Sequence, residues 1–317
     1  MNFKTFAIHN LLRLYKNAGQ LAFDNPKLAR AAFDKLADFL PGKSADCSYE
    51  STRVGQLDAE WIVPDQLKGS GVLYFLHGGG YATGSLKTHR ALASQIALAT
   101  GVRALMLEYS LAPEHQFPVQ IEEALQGYQF LLDRYAPSEI VMAGESAGAG
   151  LIAGMLLCAK DRKLPMPAAA MLLSPWLDLT ASGESHKINK HRDPMVPYKG
   201  IPLWAANYAG KENLQHPYAS PLFGNLKGLC PLYIQVGETE LLLDDSRQFA
   251  KKAHDAGVEV RLEVWPHMFH AWQGFWMVLD EGRQANEKLG AYAAAKLWPS
   301  SAGAQVQKTG APRPVRN

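Results

Sequence analysis

From residue 71 onward, short apolar runs alternate along the chain with longer segments that have helical spacing. Six runs are strand candidates, and they read GVLYFL, VRALMLEY, EIVMA, AAAMLL, LYIQV and RLEVW. Most of them are nearly continuous in apolar residues, which is typical of strands buried on both faces. Strands of this kind that alternate with helices predict a parallel sheet with helices packed on each side.

The helical segments between these runs complete the prediction of the fold class. They are predicted near residues 87–99, 118–135, 244–256 and 284–297, with one more that ends near residue 160. Two further strands, SYESTRV and LDAEWIV, precede this region and are joined by a turn at Gly55. We therefore predict an α/β fold with a mostly parallel central sheet that is flanked by helices.

Two segments do not follow this alternation. Residues 1–40 have the apolar periodicity of two helices, and the second of them begins near Asn25. Residues 180–222 are polar and are too long for an ordinary connection. We predict that the two segments form a helical cap over the sheet. The predicted units are cap helices at 1–45, the core at 46–179, a cap insertion at 180–222, the rest of the core at 223–298 and a flexible tail at 299–317.

Composition argues against several classes of function. The net charge over 317 residues is +2 and the basic residues are scattered, which argues against a nucleic-acid partner. No run approaches the roughly 18 apolar residues of a membrane span, and the N-terminal sequence does not resemble a signal peptide. The three cysteines lack the spacing of a disulfide framework or a zinc site. We expect a cytoplasmic protein without integral membrane association.

A serine lies among small residues between a predicted strand and a predicted helix. Residues 144–148 read Gly-Glu-Ser-Ala-Gly and fit the pattern G-x-S-x-G. At such a turn the backbone is strained and its flanks must be small, so that the hydroxyl stands above the sheet. A glycine-rich helix cap is the alternative, but the strand before and the helix after favour Ser146 as a nucleophile. Glu145 is interpreted as structural, with its side chain pointing away from the hydroxyl.

Three glycines follow the end of another predicted strand. His77 is followed by Gly78, Gly79 and Gly80, whose N–H groups no side chain obstructs. Such groups can bind the oxyanion of a tetrahedral intermediate, and the N–H of Ala147 would supply another donor. The loop lacks the Lys-Ser/Thr ending of a phosphate loop and the G-x-G-x-x-G spacing of a dinucleotide site. His77 is expected to support the loop by hydrogen bonds rather than to transfer protons.

A nucleophilic serine needs a base, and the chain has ten histidines. The best candidates, His267 and His270, follow the last predicted strand, where the chain order nucleophile, acid, histidine places the base. We prefer His270, because His267 lies nearer the bend at Pro266 and is expected to pack the loop. The pair lacks the HExxH pattern and the carboxylate partner of a metal site, so no metal is expected.

The acid should follow the preceding strand, where VGETELLLDD offers several carboxylates. Glu240 lies on the loop after the strand end, which suits a carboxylate that accepts a hydrogen bond from a histidine ring. Asp244 is the second candidate, although it could instead cap the helix that follows. We prefer Glu240 and keep Asp244 as the alternative.

Together these blocks resemble the bacterial hormone-sensitive-lipase-like esterases of the α/β-hydrolase superfamily. The matching stretches are HGGGY at 77–81, YSLAPEHQFP at 109–118, GESAGAG at 144–150, SPWLDLT at 174–180 and the pair VGETELLLDD with MFHAW. The resemblance implies an α/β-hydrolase fold with a helical cap, Ser146 as nucleophile and His270 as base. It also implies an oxyanion hole formed by the N–H groups of Gly79, Gly80 and Ala147, with His77 and Gly78 as supporting residues of the motif. The family most often has an aspartate where this chain has Glu240.

The predicted activity is hydrolysis of short-chain carboxylic esters by a serine carboxylesterase, through an acyl-enzyme and with no cofactor. A small-molecule ester is the expected partner. An amidase, a peptidase or an acyltransferase could use the same triad, and a receptor without catalysis is a further alternative on this fold. Four aromatic residues are candidates for the substrate walls: Tyr198, Trp204, Tyr208 and Phe223. Alanines on the last helix could support a homodimer or pack into the core.

Overall fold

The computed structural model describes residues 3–23, 25–38 and 42–299. Within these ranges the strands form one eight-stranded sheet. The strands are β1 (Cys47–Val54), β2 (Leu57–Pro64), β3 (Val72–Leu76), β4 (Arg103–Leu107), β5 (Ile140–Glu145), β6 (Ala169–Leu173), β7 (Leu232–Gly237) and β8 (Val260–Trp265). Each of them overlaps a strand that the sequence predicts. Residues 300–317, nearly all of the predicted tail, lie outside the described residues.

The sheet is parallel except at one edge. Its spatial order is β1-β2-β4-β3-β5-β6-β7-β8. The strands from β4 to β8 in this order pair in parallel, whereas β2 pairs antiparallel with both β1 and β4. The prediction of a mostly parallel sheet in an α/β fold is confirmed.

The helices lie before, between and after the strands, and two of them lie in the insertion. In the described ranges they are α1 (Phe3–Phe23), α2 (Pro26–Ala37), α3 (Leu86–Thr100), α4 (Val119–Leu132), α5 (Ala147–Asp161), α6 (Ser185–Ile188), α7 (Gly200–Ala209), α8 (Leu243–Asp255) and α9 (Asp280–Leu297). None of the helices in the part of the chain that the structure describes has the length and apolar character needed to cross a membrane.

Both faces of the sheet are covered. On β3, Tyr74 and Leu76 belong to a core cluster with α4, α5 and α8, while Leu73 and Phe75 belong to a second cluster with α3 and α9. All four side chains are fully buried. Burial of one such side chain contributes about 1.5–3 kcal/mol to stability. This is the reason for the continuous apolar runs, since successive residues of a strand point into opposite clusters.

The topology brings three loops to one edge of the sheet. Because β5, β7 and β8 run parallel, the loops that follow them leave from the same edge. These loops carry Ser146, Glu240 and His270, residues that are far apart in sequence. The fold therefore places all three near one another before any side-chain contact is considered.

Candidate active site

Ser146 lies on a sharp turn between β5 and α5. Its backbone has φ 54° and ψ −120°, a region in which a residue with a side chain is strained by about 1–3 kcal/mol. The turn is held because the N–H of Ser146 donates to Leu173 O at 2.8 Å. A Cβ on Gly148 would lie 2.2 Å from Leu76 O, so only glycine lets α5 approach the end of β3 this closely. The serine side chain therefore stands where the sheet and the helix meet.

The structure brings Ser146, His270 and Glu240 together. Ser146 Oγ lies 2.9 Å from His270 Nε2. On the other side of the ring, His270 Nδ1 donates to Glu240 Oε2 at 2.9 Å. With the Nδ1 proton held by the carboxylate, a neutral ring has its lone pair on Nε2, facing the hydroxyl. The three side chains thus form one chain of hydrogen bonds, which is the arrangement that a nucleophile, a base and a group that orients the base require.

The carboxylate of Glu240 is completely buried and held from several directions. Its Oε1 accepts hydrogen bonds from Ser174 Oγ at 2.8 Å and from the N–H of Gly237 at 2.5 Å. Asn189 Nδ2, from the insertion, donates to Glu240 O at 2.7 Å. Ser174 Oγ also accepts from the N–H of Ala271, next to the histidine, at 3.1 Å. Ser174 is a functional candidate that the sequence motifs did not indicate, although its position directly after β6 puts it at the same edge of the sheet.

The two alternative candidates contact other groups. Asp244, in the first turn of α8, accepts a hydrogen bond from the N–H of Ser185 at 2.8 Å. The N–H of His267 donates to Glu238 Oε2 at 2.9 Å, and His9 Nε2 donates to the carbonyl of His267 at 3.1 Å. Asp244 thus holds the insertion against α8, and His267 holds its loop against α1.

The electrostatic surroundings of His270 favour its charged form. Burial disfavours the imidazolium, but the hydrogen bond and the charge of Glu240 oppose this effect. The charges of Glu145 and Asp193 act in the same direction, and together they raise the pKa of His270 to about 9. The site is therefore built to hold a proton on this ring, as a base must do after it has deprotonated a serine.

Backbone N–H groups lie on the glycine loop and at the start of α5. Gly79 and Gly80 have φ values of 114° and 62°, in the left-handed region that favours glycine. Thr83 holds this conformation, because its N–H and its Oγ1 both donate to Gly79 O at 2.9 Å. Ala147 is the first residue of α5, so its N–H has no acceptor within the helix. These are the three residues that the sequence assigns to an oxyanion hole.

His77 lies beneath the glycine loop. Its Nδ1 donates to Gly78 O at 2.8 Å, and its ring stacks on Tyr109 with a centroid distance of 4.2 Å. Burial, and then the neighbouring His89, lower the pKa of His77 to about 3. A neutral, stacked ring supports the loop and is a poor proton carrier at neutral pH.

The position of Glu145 differs from the sequence interpretation. Its Oε1 lies 3.4 Å from His270 Nε2, the nitrogen that faces the serine, and its Oε2 lies 3.3 Å from His89 Nε2. The space for this carboxylate exists because Gly78 has no side chain: a Cβ there would lie 1.9 Å from Glu145 Oε2. The interpretation that Glu145 points away from the serine hydroxyl is therefore wrong. The direction of this side chain is set by the glycine loop across from the turn and not by the turn alone.

Known proteins of several sources are similar to this chain. The model of the alpha/beta hydrolase fold family matches residues 73–274. An acetyl-hydrolase of Streptomyces hygroscopicus is 43% identical over 240 residues, which cover 75% of this chain and 80% of that protein. An esterase of Acinetobacter venetianus is 33% identical over 273 residues, which cover 85% and 89% of the two chains.

A solved structure shares the architecture as well. The crystal structure of an esterase from the bacterial hormone-sensitive lipase family is 37% identical and superposes with a TM-score of 0.87. The match covers 94% of this chain and 99% of that one. The family indicated by the sequence motifs is thus confirmed over nearly the whole length. The chain belongs to the α/β-hydrolase fold family, among the esterases of the bacterial hormone-sensitive lipase family.

Proposed function

We propose that this chain is a serine carboxylesterase in which Ser146 is the nucleophile, His270 the base and Glu240 the acid. The observation that carries the proposal is the continuous chain of two 2.9 Å hydrogen bonds from Ser146 Oγ through both ring nitrogens of His270 to Glu240 Oε2. The relatives named esterase and acetyl-hydrolase support the same reaction. A small carboxylic ester is the substrate.

The reaction proceeds in two half-reactions through an acyl-enzyme. Neutral His270 accepts the proton of Ser146 as Oγ attacks the ester carbonyl carbon, and the N–H groups of Gly79, Gly80 and Ala147 bind the oxyanion. The imidazolium, stabilised by Glu240, then protonates the departing alcohol. Water, deprotonated by the same ring, attacks the carbonyl carbon of the acyl-enzyme, and the ring returns the proton to Ser146 Oγ as the carboxylic acid leaves. Removal of one oxyanion donor costs about 10²–10³ in rate.

Esters should be turned over much faster than amides. The steady-state kcat/KM of short p-nitrophenyl esters should exceed that of the matched p-nitroanilides, because an amide carbonyl is less electrophilic than an ester carbonyl and the anilide is the poorer leaving group. The comparison also addresses the amidase and peptidase alternatives. Amide turnover equal to or above ester turnover would contradict the assignment.

We propose a preference for short acyl chains. Trp204 on α7 lies directly against the glycine loop, since a Cβ on Gly80 would be 2.0 Å from Trp204 Cε3. A bulky ring at this place limits the room beside the proposed oxyanion hole. The relative from Streptomyces hygroscopicus is named an acetyl-hydrolase, which agrees with a small acyl group.

Replacing Trp204 with alanine should therefore shift the chain-length preference. Removal of the ring opens space next to Gly80, and we expect the ratio of kcat/KM for octanoate over acetate esters to rise about tenfold. The matched control is Leu203→Ala, a neighbour on α7 that is 37% exposed, which should leave the ratio unchanged. An unchanged ratio in the Trp204 variant would remove this residue from the acyl-binding wall.

We propose that residues 1–45 and 180–222 form the cap predicted from the sequence. Support comes from polar contacts between the two segments and with the loops of the core. Lys16 Nζ on α1 donates to Asp193 O in the insertion at 2.6 Å. Arg30 on α2 donates from Nε to Ala82 O at 2.7 Å, next to the glycine loop.

The cytoplasmic location and the homodimer stay predictions. Cys47, Cys158 and Cys230 are buried free thiols, which suits a reducing compartment. On α9, Ala285 and Ala293 are buried in the core, so part of the alanine surface predicted for a dimer is already covered.

A further inference from the structure

A second buried carboxylate lies beside the proposed catalytic histidine. We propose that Glu145 is a positioning residue that stabilises the protonated ring of His270 and thereby sets the lower pH limit of ester hydrolysis. The inference rests on the proposed function of Ser146 and His270. It adds a role for a residue inside the G-x-S-x-G turn that the three-residue mechanism does not use.

The geometry holds Glu145 in a bridging position. One oxygen lies 3.4 Å from His270 Nε2 and the other lies 3.3 Å from His89 Nε2. His89 Nδ1 in turn lies 2.8 Å from Thr88 Oγ1, so the ring of His89 is itself oriented by a residue at the start of α3. Glu145 is only 5% exposed, and the side-chain-free Gly78 lies against its Oε2. Water cannot freely screen a carboxylate in this place, so its charge acts strongly on the ring.

Charged groups reach His270 from three elements. Glu240 approaches from the loop after β7, Glu145 from the end of β5 and Asp193 from the insertion. All three favour the imidazolium, and burial opposes it. Glu145 differs from the other two because it faces Nε2, the nitrogen that exchanges its proton with Ser146 and with the leaving alcohol.

This placement has two effects on the reaction. A negative charge beside Nε2 keeps the ring protonated up to a higher pH, so less free base is available in mildly acidic solution. The same charge stabilises the imidazolium that forms when the serine attacks. Glu145 therefore raises the rate at alkaline pH and lowers it at acidic pH.

The test is the pH profile of kcat/KM for a neutral ester, which reports ionisations of the free enzyme. The acid limb of this profile is the pH range in which kcat/KM falls as the base becomes protonated. In Glu145→Gln the midpoint of the acid limb should move down by about one pH unit, because an opposite charge within about 4–6 Å shifts a pKa by one unit or more. The alkaline plateau should fall by less than about tenfold. The activity of the variant relative to the wild type should thus increase as the pH falls, which simple structural damage would not cause.

Two controls separate charge from shape. Glu145→Asp keeps the charge and should keep the acid limb close to that of the wild type. Glu287→Gln removes a carboxylate on α9 whose side chain is 66% exposed, and it should leave the profile unchanged. An acid limb of Glu145→Gln that coincides with the wild-type limb would overturn the inference.

If Glu145→Gln does not fold, a second variant tests the same inference. His89→Lys puts a permanent cation beside Glu145 and should move the acid limb in the same direction, by offsetting the carboxylate charge. An unmoved limb in that variant overturns the inference equally. A wild-type enzyme without Ser146-dependent hydrolysis would instead contradict the proposed function, so the two failures are distinguishable.

Discussion

Ser146→Ala should lower the kcat of ester hydrolysis by about 10⁶-fold while the protein stays folded. The hydroxyl lies 2.9 Å from His270 Nε2 and forms the acyl-enzyme in the proposed reaction, whereas alanine has neither a nucleophile nor a proton for the base to accept. The backbone strain at this position also favours a small residue, so stability should change little. Initial rates with a p-nitrophenyl ester, together with a thermal unfolding curve, measure both effects.

The matched control is Ser138→Ala, an exposed serine just before β5. It changes the same chemical group at the opposite end of the strand and should keep wild-type activity. If Ser146→Ala retains a tenth of the wild-type rate, Ser146 does not form the acyl-enzyme.

Glu240→Gln should lower kcat by about 10⁴-fold, less than the loss of the nucleophile. The amide keeps the size of the side chain and one acceptor oxygen, but it can present an N–H to His270 Nδ1, which permits the wrong tautomer. It also removes the charge that stabilises the imidazolium in a completely buried site. The measurement is kcat at a pH on the alkaline plateau, so that a shifted titration does not contribute.

Asp244→Asn is the control for this change, since it also replaces a carboxylate with an amide, four residues later on the same segment. Its carboxylate holds Ser185 and pairs with Arg247 at 3.7 Å, away from the histidine. We expect a rate within about tenfold of the wild type, from a small change in the loop. If Asp244→Asn loses most of its activity and Glu240→Gln keeps nearly all of it, Asp244 is the acid and Glu240 is not. If both variants keep most of their activity, the acid is another residue.

The insertion holds the loop that carries Glu240. Asn189 binds the backbone of the Glu240 loop, and Asp193 Oδ2 accepts from the N–H of Leu241 at 2.9 Å. Both residues come from the segment proposed as part of the cap. The position of the proposed acid therefore depends on residues about 50 positions earlier in the chain. A change in the insertion is expected to affect turnover as well as substrate choice.

The fold was predictable because it depends on local periodicity. The continuous apolar runs of β3 and β5 can be buried only between two layers, and the helical segments supply those layers. The turn at Ser146 was predictable for a related reason. Small residues at a strand-to-helix junction have a steric explanation that is contained within a few residues of sequence.

The details of the site depend on contacts between distant segments. Glu240 and Asp244 are close in sequence, and the choice between them depends on Ser174 and Asn189, which the strand order brings to that loop. The direction of Glu145 depends on the missing side chain of Gly78, more than 60 residues earlier. Neither contact has a periodic pattern, so neither could be deduced before the sheet was assembled.

The most direct test of the central claim is covalent labelling with a p-nitrophenyl alkylphosphonate, followed by peptide mass mapping. We expect one adduct per chain, located on Ser146, with release of one p-nitrophenol and loss of ester hydrolysis in proportion to labelling. We expect no adduct in Ser146→Ala. An adduct on another residue, or full labelling of Ser146 in an enzyme that remains active, would contradict the claim that Ser146 is the nucleophile.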